Sequence, residues 1–97
     1  MASSNRTKVQ VPYKNGMCIV TDTQIIWARK GGNIDQKSLR DITSVEKKVP
    51  VYGVFRKKYQ YLLHLYSPSW YGADYTEFHS EADLDRVLTA LREAMLD

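Results

Sequence analysis

The sequence predicts an α+β domain: a strongly bent antiparallel sheet, or partly open barrel, of about seven short strands capped by one C-terminal α-helix. Three observations predict it. Through residue 79, apolar residues tend to recur at every second position and are punctuated by Asn-Gly and Gly-Gly dipeptides, the period and turn chemistry of hairpin-linked strands. From residue 80 the period becomes 3.6, with Leu84, Val87, Leu88, Leu91 and Met95 on one stripe. The size, 97 residues with 43% hydrophobic and 26% charged side chains, suits one domain with a core that needs no staples. A bent sheet leaves an open apolar end, and a helix with a single stripe can plug it. Residues 1–6 are expected to be a disordered tail and residues 7–97 a single domain.

The elements follow in order. Val9, Val11 and Tyr13 alternate with Lys8, Gln10 and Pro12 in the first strand. Asn15-Gly16 tolerates the positive φ angles of a tight hairpin turn, and Met17 to Asp22 returns. Gln24 to Lys30 is the third strand, with Ile25 and Trp27 on one face and Ile26 and Ala28 on the other. Gly31-Gly32 makes the next turn. Asn33 to Lys37 is short and polar, as an edge strand would be. Leu39 to Ile42 reads as a single turn before a strand from Thr43 to Val49. Pro50 and Gly53 interrupt the pattern, so 49–58 is expected to be a loop. In Tyr59 to Tyr66, Tyr59, Tyr61, Leu63 and Leu65 share one face. Ser67 to Gly72 connects to a last strand from Ala73 to His79. Ser80 then caps the helix, with Asp83 placed to complete a capping box.

Three stretches, in this order and spacing, carry a family resemblance. Ile19-Val-Thr-Asp-Thr-Gln-Ile-Ile-Trp27 resembles the second-to-third strand hairpin of small bacterial pleckstrin-homology-like (PH-like) domains. Leu39-Arg-Asp-Ile-Thr-Ser-Val45 resembles the element that follows it, in which an Ile-x-x-Val pair points into the sheet. Phe78-His-Ser-Glu-Ala-Asp-Leu84 resembles the closing strand and helix. Together these span about residues 9 to 96. The resemblance implies a PH-like fold, but the small members it points to have no known function. PH domains that bind phosphoinositides place a lysine late in the first strand and a basic pair early in the second. This chain has Lys8 and Lys14, but Met17, Cys18 and Ile19 stand where the pair belongs. Some bacterial members carry a membrane hairpin where this chain has Val49 to Lys58, a segment here too short and too basic to be one.

Charge is uneven. Residues 80–97 hold five acids and two bases, net −3, which leaves +6 on residues 1–79. The acids Glu81, Asp83 and Asp85 crowd the helix start, where its dipole favours them. One cysteine, Cys18, permits no internal disulfide and no cysteine-rich metal site. No apolar run approaches the roughly 18 residues of a membrane span, and the N-terminus has no apolar core of a secretory signal. A cytoplasmic location is expected.

No catalytic set is legible. Cys18, His64 and His79 are the candidate players, and each also reads as a structural residue. Two histidines and one cysteine show no zinc-ligand spacing, and Gly31-Gly32 has no following helix to cradle a phosphate. No enzyme, metal or cofactor is expected, and nucleic acid is not an expected partner, because the basic charge is spread and the RNA-recognition signature is missing. A non-enzymatic binding module remains. Nine of the eleven aromatic residues fall between Tyr52 and Phe78. Trp70 and Tyr71 sit in an expected loop, where aromatics suit protein contact. Val51, Tyr52, Val54 and Phe55 precede Arg56, Lys57 and Lys58. The candidate interaction surface is therefore Tyr52, Val54, Phe55, Arg56, Lys57, Lys58, Trp70 and Tyr71. Its expected partner is an unidentified protein or a second copy of the chain. The alternative is an anionic membrane surface or phospholipid headgroup met by Lys47, Lys48, Arg56, Lys57 and Lys58, with Val54 and Phe55 dipping in, each base contributing about 1 kcal/mol.

Overall fold

A computed structural model of the chain describes residues 6–69 and 73–96. Its elements are β1 (Thr7–Tyr13), β2 (Gly16–Thr21), β3 (Gln24–Arg29), β4 (Ile34–Ser38), a 3₁₀ turn (Leu39–Asp41), β5 (Ser44–Lys48), β6 (Val51–Tyr52), β7 (Lys58–Tyr59), β8 (Tyr61–Tyr66), β9 (Ala73–Phe78) and the helix α1 (Glu81–Leu96). Seven strands form one antiparallel sheet in the order β4-β3-β2-β1-β9-β8-β5, and β6 pairs with β7 separately. The sheet is open, with β4 and β5 as its edges. Arg6, expected in the tail, accepts a backbone hydrogen bond from the Asp22 N–H at 3.1 Å. Residues 1–5 of that tail lie outside the described residues.

The sheet folds back on itself along a weak seam. β1 and β9 share one register pair, Tyr13 with Phe78, and the Lys14 N–H extends it by donating to the Glu77 carbonyl at 2.9 Å. Two strands separate β3 from β9 in the sheet order, yet the indole Nε1 of Trp27 donates to Thr76 Oγ1 at 2.8 Å in the interior. The Lys37 ammonium on β4 likewise reaches the Asp74 carboxylate on β9 at 3.4 Å. Such contacts require the four-stranded meander β1–β4 to curl over the β5-β8-β9 half.

The core fills the space between them. Val11, Val20, Ile25, Leu63, Leu65, Phe78, Leu84, Val87 and Leu91 are essentially inaccessible to water. The inward faces of β1, β3 and β8 are those that alternation predicts, and Ile42 and Val45 turn inward, Ile42 buried and Val45 packed against the core. The helix packs on β1, β2 and β8. Ser80 is its cap, its Oγ accepting from the Asp83 N–H at 3.2 Å. Met95 departs from the expected stripe. It is in phase but sits in the last turn, at the rim beside the β2–β3 turn and Leu39, and it is 37% exposed. Ala90 and Ala94 complete the buried face instead.

Three local readings need correction. The first hairpin turns at Lys14-Asn15, and Gly16 already belongs to β2. Among the described residues no non-glycine residue takes a positive φ, so Asn15 is not the left-handed residue expected. Gly16 is required for another reason: a Cβ there would run into the carbonyl oxygen of Ala28 on β3. Residues 49–58 are not a loop but carry most of a second hairpin. The strand expected from Tyr59 to Tyr66 is interrupted at Gln60, with Tyr59 in β7 and Tyr61 opening β8.

Candidate functional site

The second hairpin is an extension of the β5–β8 ladder. Lys48 pairs with Leu62 at the end of the β5–β8 ladder, and Val51 pairs with Tyr59 and Tyr52 with Lys58 in the same register. The Gln60 N–H donates to the Pro50 carbonyl at 3.1 Å between them. Pro50 has no N–H to give back, so the ladder breaks there and resumes. One long antiparallel hairpin therefore runs past the end of the core and leaves β6 and β7 as an arm in water. Residues 51–59 are all exposed.

At the arm's tip, Gly53 has φ +104°, and a Cβ on it would meet the Arg56 carbonyl oxygen. Only glycine fits, and the tight turn thrusts the next two side chains outward: Val54 is 88% exposed and Phe55 99%. With Val51, Tyr52 and Tyr59 they make up half of the ten large exposed hydrophobic side chains among the described residues, crowded into nine positions. Scattered exposed apolar residues need no explanation, whereas a cluster does. Because Gly53 touches nothing in the core, Gly53→Ala should disorder the tip and leave the melting temperature within a few degrees of wild type. A fall of ten degrees or more would show that the arm supports the core.

Six expected contact residues, Tyr52, Val54, Phe55, Arg56, Lys57 and Lys58, are thus brought together on the arm. Trp70 and Tyr71 lie outside the described residues. Val51 and Tyr59 complete the patch. Tyr59 escaped the sequence reading because it continues the phase of Leu63 and Leu65, which looked like a core face.

Lys47 must be withdrawn from the basic surface. Its Nζ donates to Asp85 Oδ1 at 2.8 Å and meets Glu81 Oε2 at 2.7 Å, tying β5 to the first turns of α1. These hydrogen bonds, Asp85 first and Glu81 second, hold its pKa above the usual lysine value. Lys48 leans over the Tyr75 ring, 5.9 Å from its centroid. The same ring stacks on His64, at 4.5 Å between centroids and 6° between planes.

The three candidate nucleophiles and bases are not brought together. Cys18 is in the core, His64 points to the outer face of β8 between inward Leu63 and Leu65, and His79 is exposed. Neither ring nitrogen of His64 has a hydrogen-bond partner among the described residues. Burial pushes the Cys18 thiol up to about 12, so at neutral pH it is a protonated hydrophobe. A thiol reagent should label Cys18 at neutral pH only as fast as the chain unfolds, and immediately in denaturant. Between pH 9.0 and about 12 the unfolded chain releases the thiol proton while the folded chain keeps it. Stability must therefore fall across that window, and Lys47 adds to the loss above 10.5 as its raised pKa is passed. Cys18→Ala should flatten the alkaline slope of the melting temperature.

A polar cleft of about 200 Å³ lies where β3 and β4 overhang β9. Its charges pair internally, Arg29 with Asp35 at 2.6 Å and Lys37 with Asp74 at 3.4 Å, so it offers no net charge to an ionic ligand. Among the described residues no group of three His, Cys, Asp or Glu side chains is placed to hold a metal, and no helix is long and apolar enough to cross a membrane. The chain matches no protein-family model, no curated protein and no solved structure.

Proposed function

We propose that the chain is a non-enzymatic binding module on a PH-like scaffold, serving protein–protein interaction or self-assembly, with the β6–β7 arm as its main contact element. The observation that carries this reading is the tip, where Val54 and Phe55 stand almost wholly in water on a two-stranded arm that contributes nothing to the core. Exposed aromatic residues beside arginine are among the residue types that dominate interface energetics. The PH-like scaffold is supported by the bent open sheet with a C-terminal helix packed on it, and by the three resembling stretches falling on β2–β3, on the 3₁₀ turn with β5, and on β9 with the start of α1.

The test is capture from the native host with wild type and with the paired Val54→Ser/Phe55→Ser variant. Proteins held by the wild type should be lost by the variant, whose melt should be unchanged. Equal capture by both would remove the arm from the contact.

The second reading, an anionic membrane surface, is favoured by one specific feature: Arg56, Lys57 and Lys58 directly follow the two apolar tip residues. Three bases beside a shallow apolar anchor give weak, salt-sensitive binding. Vesicles containing phosphatidylserine should then sediment the chain at low salt and lose it at high salt. Equal recovery with neutral vesicles would eliminate this reading.

A further inference from the structure

β4 is a free sheet edge, and its sequence, Ile-Asp-Gln-Lys-Ser, is complementary to itself when reversed about Gln36. The hydrogen bonds of its ladder fix which backbone groups face outward. The Arg29 N–H donates to the Asn33 carbonyl at 2.8 Å and the Leu39 N–H to the Thr23 carbonyl at 2.9 Å. Because antiparallel pairs alternate, Asn33, Asp35, Lys37 and Leu39 turn their backbone groups toward β3. Ile34, Gln36 and Ser38 turn theirs to water.

Two copies of one strand pair antiparallel about a two-fold axis when outward-facing residues meet outward-facing residues, which puts the axis through Gln36 or a neighbour, and an axis through Asp35 or Lys37 sets that charge against itself. Gln36 is the central outward-facing residue of β4. With Gln36 set against itself, Ile34 meets Ser38 of the second copy and every outward N–H and C=O of both strands finds a partner. The same register sets Asp35 directly opposite Lys37 of the second copy, and Lys37 opposite its Asp35. These fall on the non-hydrogen-bonded positions, where facing side chains lie closest.

We infer that β4 is a self-recognition edge, through which two copies of this chain join their sheets by antiparallel β4–β4 pairing centred on Gln36. This gives a surface to the self-assembly branch of the binding-module reading and rests on that reading, but it uses none of the arm. Charged side chains on an edge strand ordinarily repel other strands. Here their order excludes most strands and admits a copy of itself. At the other edge the backbone groups of Glu46 face β8, and the register that sets Glu46 opposite Lys48 of the second copy also sets Lys47 against Lys47. The pairs Arg29–Asp35 and Lys37–Asp74 hold both β4 charges at the rim, and Asp35 remains half exposed within its pair.

The test is sedimentation equilibrium across a concentration series. Wild type should show a monomer–dimer equilibrium. Asp35→Lys places like charges at both pairs, and so does Lys37→Asp; each should weaken dimerisation by about tenfold or more. The double variant Asp35→Lys/Lys37→Asp restores the complementarity and should dimerise again. An equimolar mixture of the two single variants should form heterodimers that neither forms alone. Gln36→Pro should be monomeric with a near wild-type melt, because the N–H it removes is not bonded to β3. Rescue by reversal and by mixing separates lost pairing from lost folding. A wild type that stays monomeric at about 1 mM overturns the inference, as does a dimer indifferent to both single charge variants. A dimer abolished by Val54→Ser/Phe55→Ser but not by the edge variants would transfer self-assembly to the arm and leave the binding-module reading standing.

Discussion

Leu91→Ala should lower the melting temperature by about 8–40 °C. Leu91 is completely buried, as are Leu84 and Val87 on the same helical face, and the helix lies across β1, β2 and β8. Truncating such a leucine costs about 2–5 kcal/mol, because the cavity adds to the lost transfer energy. A domain this size is stable by only about 5–15 kcal/mol, and each 1 kcal/mol moves its melting temperature by about 4–8 °C. Arg92→Ala, one position on and exposed, should change stability by no more than about 0.5 kcal/mol. The contrast between neighbours separates a plug from a detachable arm. If α1 docked on a partner by the same stripe, Leu91→Ala would leave the melt unchanged and remove binding instead. A silent Leu91→Ala would overturn the packing of α1 on the sheet.

How much was legible depended on the range of the cause. Hairpins and caps are local, so the β1–β3 meander, the Ser80 cap and the 3₁₀ turn after Ser38 could be read from neighbouring residues. So could the inward face of β3 and β8, since alternation is a local pattern that burial enforces. The arm was half legible. Val54-Phe55-Arg56-Lys57-Lys58 stood out by composition, but Pro50 and Gly53 read as loop signals. In the fold they mark where a hairpin leaves the core and where it turns. Tyr59 kept the alternation of a core strand because pairing continues after the core has ended, and period alone cannot say where a sheet stops being covered. Lys47 was illegible as a helix partner, since Glu81 and Asp85 come beside it only when β5 and α1 are packed. The Trp27–Thr76 bond is the extreme case: it joins residues 49 positions apart and depends on a bend that no single segment encodes.

Trp27→Ala should destabilise the fold by about 3–5 kcal/mol, the usual loss for a buried tryptophan, since the indole is only 6% exposed. The informative variants divide that loss. Trp27→Phe keeps an aromatic ring but removes the indole N–H, leaving the buried Thr76 hydroxyl, 4% exposed, without its donor. An orphaned buried polar group costs about 1–3 kcal/mol. Thr76→Val makes the complementary orphan by stripping the indole N–H of its acceptor. The double variant Trp27→Phe/Thr76→Val removes both polar groups at once and should lose less than the two singles combined, by about 0.5–3 kcal/mol. Thr76→Val should also move the Trp27 indole N–H resonance and speed its exchange with solvent. The weak backbone seam between β1 and β9, one register pair, makes this bond a principal polar tie between the two halves of the sheet. It lies directly beneath β4, because Trp27 pairs with Asp35 across the β3–β4 ladder. Losing it should therefore also loosen the β4 edge, and Trp27→Phe should weaken dimerisation without altering a β4 residue. Strict additivity of the two single variants, with an unshifted indole resonance, would mean that packing alone holds the halves together and that Trp27 contributes only its volume.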